Sequence, residues 1–210
     1  MATANEPLIE RHTVKERVVH WAIAIVFLFL FLSGLALFHP VFFWISALFG
    51  GGEFMRWLHP LVGVLLAILF APYAAGLVRD NRWLPADQAW RAHMWAYMKK
   101  QYHPTDTGKY NAGQKLMYWS MVPIIAVLAV TGIVMWQPWF APIFPATGRR
   151  LAGLLHAVGA FIMFVGIGIH VYAAYWTRGS IRAMVRGTVS SRWARFHHPG
   201  WYRQVTGKEP

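Results

Sequence analysis

Four uncharged apolar runs dominate the chain, at residues 21–38, 58–78, 116–137 and 153–176, with polar segments between them. Each is eighteen residues or longer. A helix of that length, rising about 1.5 Å per residue, crosses a hydrocarbon core of roughly 30 Å. None of the runs alternates apolar and polar positions as a membrane β-strand would. The pattern predicts an all-α membrane protein, a four-transmembrane-helix bundle in one integral-membrane domain spanning residues 1–210. Two connections are short: residues 39–57 are aromatic and glycine-rich, and residues 138–152 are proline-rich. Residues 79–115 form a long polar loop, expected to carry one amphipathic helix near 86–102, and residues 177–210 form a basic tail.

Composition agrees with this reading. Hydrophobic residues make up 57% of the 210, and only 13% are charged, where a soluble domain carries about a quarter. A formal charge of +12 on a soluble protein would suggest nucleic acid. No recognition module accompanies the charge, so nucleic acid is not expected as a partner. The basic residues gather on one side of the runs instead. Lys and Arg number three before the first run, seven in residues 79–115 and seven in the tail, against one (Arg56) and two (Arg149, Arg150) in the short connections. The positive-inside rule then places both termini and the long loop in the cytoplasm. No small-residue cleavage site follows the first run, which is read as a retained helix rather than a leader.

The chain has no cysteine. Disulfides, a cysteine-bound iron–sulfur cluster and a covalent C-x-x-C-H haem are therefore excluded within it. It has ten histidines. His93, His103, His197 and His198 lie in polar segments and are expected to be solvated or capping, and His12 has no assigned role. His20, His39, His59, His156 and His170 stand at or inside the runs, where an ionisable side chain is a functional candidate. His156 and His170 are fourteen residues apart, near four helical turns, so both face one side about 21 Å apart in depth. His20 opens the first run from the cytoplasm, level with His170. His59 opens the second run from outside, level with His156.

The result is two imidazole pairs at two depths, without a carboxylate or thiolate in the runs. Zinc would want a fuller ligand set. Two neutral imidazoles suit the axial positions of a haem iron inside a helical bundle. Gly34, Gly63, Gly159 and Gly166 lie near these levels and would let a flat macrocycle approach the helices, although small residues also serve helix packing. His39 competes as an outer ligand but precedes Pro40, where the chain is leaving its helix.

The segments "RWLHPLVG" (56–63), "DTGKYNAGQK" (106–115), "VTGIVMWQPWFAP" (130–142) and "HHPGWYRQV" (197–205), with the histidine spacing, carry a further identification. The chain resembles the cytochrome b (gamma) subunits of respiratory membrane-bound formate dehydrogenases over nearly its whole length. The resemblance implies two haems b, with His59 and His156 holding the outer iron and His20 and His170 the inner one. It implies a quinone site, for menaquinone or ubiquinone, at Asn111, Gly113 and Gln114, bordered by His170. It departs from the family at Gln137, where an Arg usually precedes the proline.

Several partners follow from the resemblance. They are a periplasmic iron–sulfur (beta) subunit with a membrane anchor helix, a catalytic molybdenum or tungsten (alpha) subunit, the bilayer of a bacterial inner membrane, and a trimer of heterotrimers. Electrons would pass from the iron–sulfur subunit by the outer and inner haems to quinone, reduced on the cytoplasmic side with proton uptake in anaerobic respiration. Formate oxidation itself would belong to the partner. Arg56, Arg149 and Arg150 are candidates to neutralise outer haem propionates, and Arg17 and Lys115 inner ones; membrane anchoring explains them equally. Two alternatives stand beside this reading: a cytochrome b of a hydrogenase or thiosulfate-reductase-like complex, and a cofactor-free membrane anchor.

Overall fold

A computed structural model describes residues 6–99 and 101–210, so Lys100 of the expected 86–102 helix lies outside the described residues. Four helices are long and apolar enough to cross a membrane: α1 (Val14–Phe38), α2 (Gly52–Leu77), α5 (Ala112–Met135) and α6 (Ala146–Trp176). Between α2 and α5 lie two short helices, α3 (Pro85–Ala92) and α4 (Met94–Met98). After α6 come α7 (Ser180–Arg186), strand β2 (Thr188–Ser190), α8 (Ser191–His197) and α9 (Pro199–Thr206), and strand β1 (Leu8–Glu10) precedes α1.

Each spanning helix begins earlier than its apolar run, and in α1 and α5 a polar box sets the start. In α1 the Thr13 hydroxyl accepts from the Glu16 amide at 3.2 Å, and the Glu16 carboxylate accepts from the Thr13 amide at 2.8 Å. This reciprocal box satisfies two amides that the first turn leaves unpaired. The end of α1 at Phe38 precedes His39-Pro40, where a proline disfavours helical backbone in the residue before it. The connection is not irregular: residues Pro40–Phe49 form a 3-10 helix that stops at Gly50, whose φ of +82° favours a residue without Cβ.

The long loop departs from expectation. Instead of one helix over 86–102 it carries α3 and α4, broken at His93 with φ −107° and ψ 17°. There the imidazole Nδ1 lies 2.9 Å from the Ala89 carbonyl, and the ring stacks on Tyr102 at 4.4 Å. A side chain competing for a helix carbonyl offers the backbone an alternative to continuing the helix.

The chain divides into two compact units. The first joins residues 1–17, 75–119 and 170–210. Its centre is a small core of Ala183, Val189, Ala194, Trp201 and Tyr202, with Ile9 and Trp193 against it. Strands β1 and β2 pair antiparallel with Ile9 opposite Val189, so the N-terminal arm and the tail fold together. Arg11 is buried here, its guanidinium 4.9 Å from the Trp193 ring and 5.0 Å from the Trp201 ring. Burial pulls its pKa down to about 10, which leaves it cationic at neutral pH.

The second unit joins residues 18–74 and 120–169 and contains most of the four long helices. Ala36, Ile45 and Met55 pack together with Leu32, Leu35 and Phe49. Ile25, Ile68, Val130 and Phe161 are each more than 60% exposed. Large apolar side chains exposed along helices of this length belong against lipid, and the protein is an integral membrane protein.

Candidate functional site

His59 lies on α2 and His156 on α6, and both belong to the second unit. Their ring centroids are 6.4 Å apart with an interplanar angle of 65°. Imidazole nitrogens bind metals at about 2 Å, so two rings on opposite sides of one ion place their centroids roughly 6 Å apart. The observed separation fits two imidazoles holding one metal ion between them. It is too long for a direct ring-to-ring hydrogen bond through facing nitrogens to be the best use of the space.

Each ring is held from behind by a hydroxyl. The Ser33 Oγ on α1 is 2.7 Å from the His59 Nδ1, and the Thr131 Oγ1 on α5 is 2.9 Å from the His156 Nδ1. Each hydroxyl also reaches a carbonyl of its own helix. Ser33 donates to the Leu30 carbonyl at 3.2 Å, and Thr131 donates to the Val127 carbonyl at 2.6 Å. A hydroxyl that gives its one proton to the helix carbonyl has an oxygen free to accept from the imidazole Nδ1–H. In that arrangement each ring takes the tautomer whose Nε2 keeps its lone pair for a metal. This is how ligating histidines are oriented by their outer hydrogen bonds.

A glycine follows each hydroxyl. A Cβ at Gly34 would lie 3.5 Å from the His59 Cε1, and one at Gly132 would lie 3.5 Å from the His156 Cε1. The same Ser/Thr-Gly pair thus supports each ring from a neighbouring helix. Sequence reasoning missed Ser33, Thr131 and Gly132. The available signal was a hydroxyl followed by glycine, in "LSGL" and "VTGI", inside runs otherwise almost free of polar side chains.

No group of three or more His, Asp or Glu side chains is placed to hold a metal ion among the described residues. Two imidazoles suit an iron whose other ligands come with a macrocycle, and the residues present fit haem. Replacing Ser33 with Ala, or Thr131 with Val, is expected to weaken haem retention at this site roughly 10–100-fold, the usual cost of losing an outer-shell partner. The measurement is b-type absorbance remaining after dilution in detergent.

The other expected residues fall as follows. His20 lies on α1 with its ring edge-on to Trp21 at 5.5 Å. His170 lies on α6 in the other compact unit. The inner pairing of the two rests on helix direction and the fourteen-residue spacing. His39 is the cap of the 3-10 helix, where its Nδ1 accepts from the Val41 amide at 3.2 Å. Asn111 and Gln114 form a reciprocal box at the start of α5: each side-chain oxygen accepts from the other's amide, at 2.9 and 3.0 Å. The box uses the carbonyl oxygens of the two carboxamides and none of their NH2 donors. Gly113 takes the edge of Trp90, which a Cβ would approach to 3.2 Å.

Three cationic candidates have other work. Lys115 is 1% exposed and paired with Asp87 at 2.7 Å, which removes it from any water-facing anchoring role. Arg149 donates to the Ala141 and Phe144 carbonyls, and Arg17 to the Val185 carbonyl. Arg56 and Arg150 are exposed. His198, expected to be solvated or capping, is a capping residue between α8 and α9, and it is buried. It is 2% exposed, its Nδ1 donates to the Gly108 carbonyl at 2.8 Å, and its Nε2 faces the Arg11 Nη2 at 3.2 Å. Burial, with the Arg11 charge beside it, holds its pKa well below the ordinary histidine value. His12 is buried as well.

Residues 11–187 match the family described as prokaryotic cytochrome b561. The chain belongs to the prokaryotic cytochrome b561 family. Membership makes b-type haem the group that the facing imidazoles suit, and makes this cytochrome a membrane electron-transfer protein. This cytochrome is also similar, nearly end to end, to three cytochrome b556 subunits. The nitrate-inducible formate dehydrogenase subunit of Escherichia coli K12 is 39% identical over 211 residues, covering 98% of this chain and 95% of the relative. The formate dehydrogenase subunit of Haemophilus influenzae is 39% identical over 204 residues, covering 96% and 85%. A second Escherichia coli K12 formate dehydrogenase subunit, designated fdo, is 38% identical over 197 residues, covering 94% and 93%.

Proposed function

We propose that this chain is the di-haem cytochrome b subunit of a respiratory formate dehydrogenase, carrying electrons across a bacterial inner membrane to quinone. The observation that carries the reading is the His59–His156 pair at 6.4 Å, with both Nδ1 atoms engaged by hydroxyls. The near-full-length similarity to formate dehydrogenase cytochrome b556 subunits supports the choice of complex. His59 and His156 would hold the outer haem, and His20 and His170 the inner one. Bound there, haem supplies one-electron oxidation and reduction at its iron.

The chain's own residues position the cofactors and handle the quinone. In this reading both termini and the α2–α5 loop face the cytoplasm, as the distribution of Lys and Arg indicates. Electrons come from a periplasmic iron–sulfur subunit, itself supplied by the molybdenum or tungsten subunit that oxidises formate. At the inner end a quinone takes two electrons and two protons to become quinol. The carboxamide NH2 groups of Asn111 and Gln114 are donors of the kind a quinone carbonyl accepts, and Gly113 lies between them in sequence. Protons drawn from the cytoplasm, with negative charge moving inward, build membrane potential.

The identity of the complex is tested by mass spectrometry of copurified subunits. A molybdenum- or tungsten-containing partner is expected, and a nickel–iron partner would assign the chain to a hydrogenase. The quinone site is tested by Asn111→Ala. Quinol formation is expected to slow by about tenfold, as for a lost orienting contact, with b-type absorbance retained. Unchanged quinone kinetics would remove Asn111 from the site.

A further inference from the structure

The C-terminal tail grips the strand of chain that leads into Asn111. Within residues 105–109, four backbone carbonyls are taken in turn by side chains or backbone from the two ends of the protein. The Arg203 Nη1 reaches the Thr105 carbonyl at 3.5 Å, and the Trp201 amide donates to the Thr107 carbonyl at 3.1 Å. The His198 Nδ1 donates to the Gly108 carbonyl at 2.8 Å, and the Arg11 Nη2 donates to the Lys109 carbonyl at 2.6 Å. Arg203 also pairs with the Asp106 carboxylate. The fit leaves no slack: a Cβ at Gly200 would lie 2.9 Å from the Asp106 carbonyl oxygen and 3.0 Å from that of Thr107. All these residues belong to one compact unit.

A surface loop ordinarily satisfies its carbonyls with water and moves. This one is bound carbonyl by carbonyl up to two residues before Asn111, and the two donors nearest to it, His198 and Arg11, are buried. His198 is central because it serves both ends: one ring nitrogen donates to the loop, and the other accepts from Arg11.

We propose that His198, Gly200, Trp201 and Arg203, with Arg11, form a positioning device that sets the quinone-contacting turn at residues 111–114. The tail then acts on quinone binding without touching quinone. The inference rests on the quinone site proposed above, and the two are separable by experiment.

In the purified complex, two activities are compared. One is formate-dependent reduction of a water-soluble dye, which takes electrons before they reach the quinone. The other is formate-dependent reduction of menadione, a naphthoquinone without an isoprenoid chain. His198→Ala is expected to raise the KM for menadione roughly 10-fold, the scale of a small misplacement at a reacting centre, with dye reduction and b-type absorbance unchanged. His198→Gln, whose amide can both donate to Gly108 and accept from Arg11, is expected to restore most of the loss. Parallel loss of dye reduction, haem and menadione activity would mean a merely structural role and overturn the proposal. Should His198→Ala not assemble, Arg203→Ala, which loses an exposed ion pair, is expected to raise the same KM by a smaller factor; an unchanged KM there overturns it. Asn111→Ala is measured alongside. If it alters the menadione KM while the tail variants do not, the positioning device is wrong and the quinone site stands. If neither alters it, the quinone site fails and the device with it.

Discussion

His59→Ala and His156→Ala are each expected to abolish haem binding at their shared site while leaving the second b-type centre in place. The expected result is half the wild-type haem per chain, measured by the pyridine haemochrome assay. His20→Ala and His170→Ala should spare this site and remove the other. Retention of two haems in all four variants would overturn the ligand assignment. The effect is large because the partners at each ring's Nδ1, Ser33 and Thr131, are neutral hydroxyls, poor replacements for an imidazole ligand. Losing one of those hydroxyls leaves both iron ligands in place and costs orientation only. The ligand variants should therefore lose the haem outright, where the hydroxyl variants loosen it.

The long helices were legible because a helix that crosses a membrane must be apolar over its whole buried length. Their starts were less so: α1 and α5 begin at polar boxes outside the apolar runs, Thr13 with Glu16 and Asn111 with Gln114. The meeting of His59 and His156 followed from the alternating direction of the helices, which allows few depths to each histidine. The hydroxyls behind them were hidden among residues that commonly bond only to their own helix in membrane spans. The tail was the hardest part to read. Its basic composition conceals five core residues, and its strand partner, Leu8–Glu10, lies at the other end of the chain. Polar histidines usually mean solvent; His198 is buried because Arg11 and Gly108 meet its two nitrogens there.

Breaking the Lys115–Asp87 pair is expected to be the most destabilising single change outside the proposed haem ligands. The two side chains are 1% and 5% exposed, so solvent does little to screen them. Removing one partner of a buried pair strands the other charge and costs about 3–5 kcal/mol. The two halves should not be equal. The Asp87 carboxylate also accepts from the Leu84 amide at 2.7 Å, at the start of α3. Asp87→Ala therefore loses a helix cap as well, about 1 kcal/mol more, and leaves the Lys115 ammonium in the protein interior. Lys115→Met leaves Asp87 with one of its two donors, and should be the milder change. Replacing both, as Lys115→Met with Asp87→Asn, removes both charges and retains a cap acceptor, so it should recover most of the loss. Thermal unfolding of the detergent-solubilised complex measures the order. A double variant no more stable than Asp87→Ala would show that the ion pair itself, rather than the avoidance of a stranded charge, holds α3 against the start of α5.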